Sequence, residues 1–116
     1  PHAKAGPLAH FLKRIRIADL NIVTADWVGW GSRTDITKAK QMKTILAGTD
    51  PVALDYYGAK HIVYPLSNNK VYHDPDYPKS SVGKFLLLAH TILGEGAREK
   101  KDIKLHSHDF QINNIT

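Results

Sequence analysis

The sequence contains no cysteine among its 116 residues. This absence excludes disulfides, thiolate nucleophiles and cysteine-ligated zinc or iron–sulfur clusters within this segment. No apolar run approaches the roughly 20 residues that a membrane-spanning helix needs, so we expect no membrane span. The first seven residues also lack the apolar stretch of a signal peptide. These absences do not fix the compartment, and we expect a soluble, cytoplasmic chain rather than an exported one.

The charged residues give a formal net charge of +5, from 16 Lys and Arg against 11 Asp and Glu. They do not form a dense basic block, so a solvated surface is the simplest interpretation of this surplus. The length allows one hydrophobic core and is too short for two ordinary domains, so residues 1–116 are predicted to form a single α/β domain. Because the sequence starts without methionine, we expect it to be the carboxy-terminal fragment of a longer domain.

Hydrophobic spacing predicts helices that alternate with short, apolar strands. The predicted helices cover residues 7–17 and 52–63, and a third begins at residue 80 or 81 and ends at residue 94 or 96. The predicted strands cover residues 20–25, 42–47 and 103–105, with loops at 26–32 and 64–79. Alternation of this kind favours helices packed on a small, mainly parallel sheet. Three strands make a small sheet, which missing upstream sequence or a second chain could complete.

Ligands of open α/β sheets bind beyond the carboxyl ends of the strands, and two loops here follow such ends. If the strands are parallel neighbours, Asp26 and Asp50 lie on the same rim, where they could ligate a divalent cation or divide acid and base roles. The glycines after the first strand could bring backbone N–H groups and an aromatic face to a ligand. The predicted ligand-binding residues are Asp26, Gly29, Trp30, Gly31 and Thr49.

Each candidate also has a structural interpretation. Asp50 before Pro51 is typical of a helix N-cap, and Asp26 could simply start a turn. Tryptophans are more often packing residues than ligand platforms. Asp55 has no Lys or Arg three or four residues away, so no local ion pair accounts for it, although an exposed position or an effect on the helix dipole would. Asp50 and Asp55 are the candidate catalytic residues.

The seven histidines suggest two weaker metal sites. His106 and His108 would lie on the same side of an extended segment, but no third ligand is adjacent. The segment from His73 to Asp76 is a second candidate, although turn chemistry explains its Asp-Pro pair equally well. The sequence contains no nucleophile elbow, Walker loop, paired-histidine zinc helix or Rossmann fingerprint.

The order of two segments resembles the "domain of unknown function 362" family. These are Leu20-Asn21-Ile22-Val23 with its glycine-containing loop, and the segment from Thr44 to Asp55 with its Thr49-Asp50-Pro51-Val52-Ala53-Leu54-Asp55 motif. The resemblance covers roughly residues 7–63 and, more loosely, the third helix and residues 103–105. It implies that Asp50 and Asp55 match two aspartates of the family. It also implies a redox-associated setting, because many members carry ferredoxin-like iron–sulfur modules beside this domain. Thr24 departs from the pattern, since the family has an acidic residue there and Asp26 comes two positions later.

The sequence thus leaves two functions open, and whether the chain is an enzyme is undecided. One is a ligand-binding or catalytic domain in a redox-associated setting, with its site at the carboxyl ends of the strands. The alternative is a non-catalytic interaction or oligomerisation domain that docks a redox protein or a second copy of itself. Nucleic acid is not an expected partner, because no aromatic residues interleave with the basic ones. Any cofactor is undetermined, with a divalent metal possible.

Overall fold

The computed structural model describes residues 2–32, 34–94, 103–109 and 111. The helices of these segments are α1 (His2–Ile15), α2 (Pro51–Gly58), α3 (Tyr64–Leu66) and α4 (Ser81–Leu93), and their strands are β1 (Asn21–Gly29) and β2 (Ala39–Gly48). A π-helical turn at Ala59–Val63 joins α2 to α3, and 3-10 turns occupy Ile36–Lys38 and Val71–His73. No helix among the described residues has the length and apolar character needed to cross a membrane.

The sheet of the described residues consists of β1 and β2, which pair in antiparallel orientation. The prediction of a mainly parallel sheet is therefore wrong, although the fold is mixed α/β. The cause lies in the strand lengths, because β1 continues to Gly29 and β2 already begins at Ala39. A parallel connection needs a crossover of roughly a dozen residues or more. Residues 30–38 are too few for one, so the chain turns back as a hairpin.

A bulge lets β1 run through the segment that was predicted as a loop. The register runs from Asn21 opposite Gly48 to Ala25 opposite Thr44, and resumes at Trp27 opposite Gln41. Met42 and Lys43 of β2 therefore lie opposite the single residue Asp26 of β1, so β2 carries one extra residue. Lys43 has a φ of 49°. This left-handed conformation is unusual for a residue other than glycine and accommodates the extra residue in β2.

The hydrophobic core lies between α1, α2 and α4. Its buried side chains are Ala9, Val52, Tyr56, Leu86 and Ala89. Burial of a large apolar side chain stabilises a fold by about 1.5–3 kcal/mol, so contacts among these three helices are a main source of stability. The hairpin joins this unit through α2, where the Leu54 side chain lies against Gly48 and Gly58 packs near the Leu46 side chain.

Local capping signals set the ends of α4. The Ser80 hydroxyl accepts a hydrogen bond from the Gly83 backbone N–H at 2.7 Å, and Gly94 ends the helix with a φ of 76°. Both ends confirm the predicted boundaries. Helix α1 differs, because it begins at His2 instead of Pro7 and ends at Ile15. Pro7 lies inside this helix, where its missing N–H removes one backbone hydrogen bond.

The third predicted strand is absent, since residues 103–109 contain no regular secondary structure. A strand needs a hydrogen-bonded neighbour, and β2 pairs only with β1 within the described part of the chain. The predicted connection at 64–79 contains α3 and the turn at Val71–His73, and it returns to Ser80 at the start of α4.

Candidate functional site

The antiparallel sheet separates the two loops that were expected to share one rim. Asn21 pairs with Gly48, so Thr49 and Asp50 lie beyond the beginning of β1. Asp26 lies five residues further along β1, about 16 Å away at the usual strand rise. It lies in the bulge, where its carboxylate accepts a hydrogen bond from the Gln41 side-chain amide at 3.3 Å. A joint metal or acid–base site of Asp26 and Asp50 is therefore wrong, because it required parallel strands.

The residues after β1 close the hairpin. The Trp30 backbone N–H donates to the Lys38 carbonyl at 3.0 Å. A side chain at Gly31 would lie against the Lys38 side chain, and one at Gly29 would approach the Lys38 carbonyl at 3.4 Å. Both glycines thus allow the 3-10 turn at Ile36–Lys38 to pack closely on the end of β1. Their predicted ligand-binding role, and that of Trp30, stays a prediction.

Asp50 caps α2 at the carboxyl end of β2. Its carboxylate oxygen accepts hydrogen bonds from the backbone N–H groups of Val52 at 2.9 Å and Ala53 at 3.0 Å. These donors would otherwise lack partners in the first turn of the helix. Pro51 occupies the first helical position, where its missing N–H has no consequence. The structure therefore confirms the capping interpretation of Asp50, and its catalytic role stays a prediction.

A cleft of about 390 Å³ lies beside this cap. It borders the end of β2, one side of α2 and the segment at 103–106. Its apolar lining residues are Ile45, Leu46, Ala47, Ala53, Leu54, Ile103 and Leu105. Its polar lining residues are Thr49, Asp50, Tyr57, Lys104 and His106, with Gly48 between the strand and the cap. The walls mix apolar and polar groups, and the volume lies within the range of small-molecule sites.

Asp55 lies on a different side of α2 from Asp50. It borders a cavity of about 40 Å³ between α1, α2 and α4, whose other walls include Leu12 and Phe85. Asp55 itself is exposed, but the apolar side chains beside its carboxyl group reduce its hydration and raise its pKa. This cavity has room for about one water molecule, and Asp50 borders a different cleft, so the structure does not bring the two aspartates together. The catalytic role of Asp55 stays a prediction.

A partly buried ion-pair network was not predicted from the sequence. The Lys60 ammonium group contacts the carboxylates of Asp74 at 3.1 Å and Asp76 at 2.6 Å, and the Tyr56 hydroxyl donates to Asp76 at 2.7 Å. The Ser80 hydroxyl donates to the Asp74 carbonyl at 2.6 Å. These contacts hold the 64–79 connection against α2, the π-helical turn and the start of α4. Only Asp74 and Asp76 were visible as candidates in the sequence, because Lys60 is 14 residues from Asp74.

The hydrogen bond from Lys60 to Asp76 is the largest cause of a raised Lys60 pKa. Burial alone would raise the pKa of Asp76, but the hydrogen bonds from Lys60 and Tyr56 and the nearby positive charges outweigh it and lower that pKa. Both partners are therefore charged at neutral pH. The Lys60 ammonium thus supplies the positive charge that balances these carboxylates.

The described residues contain no group of three His, Asp or Glu side chains able to hold a metal ion. His106 lines the cleft, whereas His108 does not. The Nδ1 atom of His73 is buried and has no hydrogen-bond partner within the described segments. Its burial, and secondarily the charge of Lys70, lower the pKa of His73, which favours the neutral ring.

No family model, no curated protein and no solved structure matches this chain.

Proposed function

We propose that this chain is a ligand-binding or catalytic α/β domain whose site is the cleft at the carboxyl end of β2. The observation that carries the proposal is the cleft itself, which has the volume of a small-molecule site and includes Thr49 and Asp50. These two residues begin the motif in which the chain resembles the "domain of unknown function 362" family. The resemblance also supports a redox-associated setting for this site.

The chemistry of the lining supports binding more directly than it supports a reaction. Apolar side chains of β2 and α2 would cover the body of a ligand, while Thr49 and Tyr57 supply hydroxyl groups at its edge. The Asp50 carboxylate holds the helix cap and so is positioned by two backbone N–H groups. Substrate orientation by Thr49 and Tyr57 is the role that this arrangement favours, with Asp50 as the fixed charged group.

A thermal-shift screen tests the proposal with divalent metals, nucleotides, flavins and small carboxylic acids as probes. A ligand at a hundred times its Kd adds about 2.7 kcal/mol of stability, which is readily visible. Thr49→Val and Tyr57→Phe each remove a hydroxyl from the cleft and should reduce the shift. Asp26→Asn is the matched control at the far part of the hairpin and should leave it unchanged. An unchanged thermal shift in both Thr49→Val and Tyr57→Phe would place the ligand outside the cleft. Loss of the thermal shift in Asp26→Asn would do the same.

An interaction or oligomerisation domain is the second candidate, because the hairpin exposes large apolar side chains. Ile22, Trp27 and Ile45 are 62%, 65% and 62% exposed. An isolated two-stranded hairpin is only marginally stable in water, and contact with a redox protein or a second copy would cover these residues. Analytical ultracentrifugation over a concentration series tests self-association. Mass that rises with concentration in the wild type but not in Ile22→Lys would support an oligomer, and a constant monomer mass would contradict it.

A further inference from the structure

The described lining of the cleft carries one charge of each sign. The negative charge belongs to Asp50, where β2 meets α2, and the positive charge belongs to Lys104 on the segment at 103–106. With histidine counted as neutral, no formal charge comes from the other polar side chains, Thr49, Tyr57 and His106. The described lining is therefore neutral overall. A ligand that itself carries one charge of each sign complements it better than an acidic or a basic ligand does.

Asp50 is the fixed charged group of the cleft. Its carboxylate Oδ1 accepts hydrogen bonds from the backbone N–H groups of Val52 at 2.9 Å and Ala53 at 3.0 Å, so its position follows that of α2. A carboxylate can accept about four hydrogen bonds, which is more than the cap requires. An ammonium group donates hydrogen bonds and accepts none, so it is the ligand group that complements Asp50.

Lys104 is the adaptable charged group of the cleft. It is exposed, and residues 103–106 contain no regular secondary structure that would fix it. None of the ion pairs among the described residues includes Lys104. Its ammonium group lies at the end of a flexible aliphatic stem, so it can reach a ligand carboxylate at a range of distances from Asp50. A carboxylate is therefore the second ligand group that the cleft favours.

Aliphatic side chains form most of the remaining lining. They come from β2, α2 and the segment at 103–106, and the larger ones are Ile45, Leu46, Leu54, Ile103 and Leu105. A branched aliphatic group of the ligand would remove apolar surface from water against them, which favours binding. The cleft volume of about 390 Å³ limits the ligand to a small molecule. The body of the ligand is therefore expected to be small and aliphatic.

We propose that the cleft binds a small aliphatic amino acid that has a free ammonium group and a free carboxylate group. The ammonium group lies at Asp50, the carboxylate is bound by Lys104, and the aliphatic side chain packs against β2 and α2. The ligand class rests on the proposed function, because it takes the cleft as the ligand site.

Isothermal titration calorimetry on the whole chain tests this ligand class, with L-leucine, L-isoleucine and L-valine as probes. We expect at least one of them to bind with a Kd below about 1 mM. The N-acetyl form of that amino acid lacks the ammonium group, its amide lacks the carboxylate, and glycine lacks the side chain. Each of these three compounds should bind at least about tenfold more weakly, because each loses one of the three contacts.

Two variants assign each charged group of the ligand to its residue. Asp50→Asn keeps a residue that caps helices well, and it should remove the preference for the amino acid over its N-acetyl form while the preference over the amide remains. Lys104→Gln should do the reverse. Lys79→Gln and Asp109→Asn are the matched controls, since both residues are exposed and lie outside the cleft lining. They should leave every Kd within about twofold of the wild-type value.

Several results would overturn the amino-acid proposal. Equal affinity of the wild type for the amino acid and for its N-acetyl form or its amide would exclude recognition of both charges. Preferences that stay unchanged in both Asp50→Asn and Lys104→Gln would place the amino acid outside the cleft. If no amino acid binds but another compound gives a thermal shift that Thr49→Val reduces, the ligand class is wrong and the proposed function stands. Absence of both amino-acid binding and any thermal shift would overturn both.

Discussion

Replacement of the Asp50 cap separates its structural role from a role in ligand binding. Asp50→Ala removes the acceptor of the Val52 and Ala53 backbone N–H groups, which are 2.9 and 3.0 Å away. Loss of an N-cap costs roughly 1 kcal/mol, within a range of about 0.5–2. Asparagine caps about as well as aspartate, so Asp50→Asn should lose less than half as much, mainly through the charge at the helix N-terminus.

Urea denaturation and thermal denaturation, both followed by tryptophan fluorescence, measure these differences in the free energy of unfolding and in Tm. An unfolding entropy of about 2 cal/mol/K per residue converts 1 kcal/mol into a Tm decrease of about 4 °C for a chain of this length. We expect that decrease for Asp50→Ala and about 2 °C or less for Asp50→Asn. Equal losses in the two variants, or no loss in Asp50→Ala, would refute the capping argument. Ligand binding that Asp50→Asn abolishes while stability is kept would assign the charge to the site.

Two further predictions concern the helices and the ion-pair network. A side chain at Gly83 would overlap the Tyr77 carbonyl oxygen, so Gly83→Ala should lower the free energy of unfolding by about 1–3 kcal/mol. Gly58→Ala is the control, since its new methyl group would lie at an ordinary 3.6 Å from its nearest neighbour and alanine favours the helix. Urea denaturation should show that Gly83→Ala lowers the free energy of unfolding and that Gly58→Ala raises it. Because the folded-state pKa of Asp76 is lowered, its stabilising contribution is present above the unfolded pKa of about 4 and disappears as the pH falls through the folded value. Asp76→Asn should therefore flatten this part of an acid denaturation curve measured by circular dichroism, and an unchanged curve would contradict the network's role.

The sequence predicts the parts of the fold that depend on adjacent residues. Ser80 and Gly94 mark the ends of α4, and Asp50 with Pro51 marks the start of α2, because caps satisfy backbone groups only a few positions away. The orientation of the strands depends instead on where β1 ends. Asp26 and Gly29 are typical of a turn, but the bulge opposite Asp26 lets the strand continue, and the shorter connection then excludes a parallel crossover.

The candidate site is predictable to a similar extent. Thr49 and Asp50 border the cleft because they follow β2 directly, as ligand-binding residues of α/β proteins often do. Lys104 and His106 reach the same cleft from a distant part of the sequence, and no local pattern places them there. Asp55 is five residues from Asp50 on the same helical path, but the helix rotation directs it to another cavity.

The most direct test of the cleft as the ligand site is an NMR titration of the ¹⁵N-labelled chain with the compound that gives the largest thermal shift. We expect backbone amide shifts to change mainly for residues 45–50, Tyr57 and residues 103–106, which border the cleft. Shift changes centred on Trp27 and Gly31, or spread evenly over the surface, would contradict a ligand site at the carboxyl end of β2.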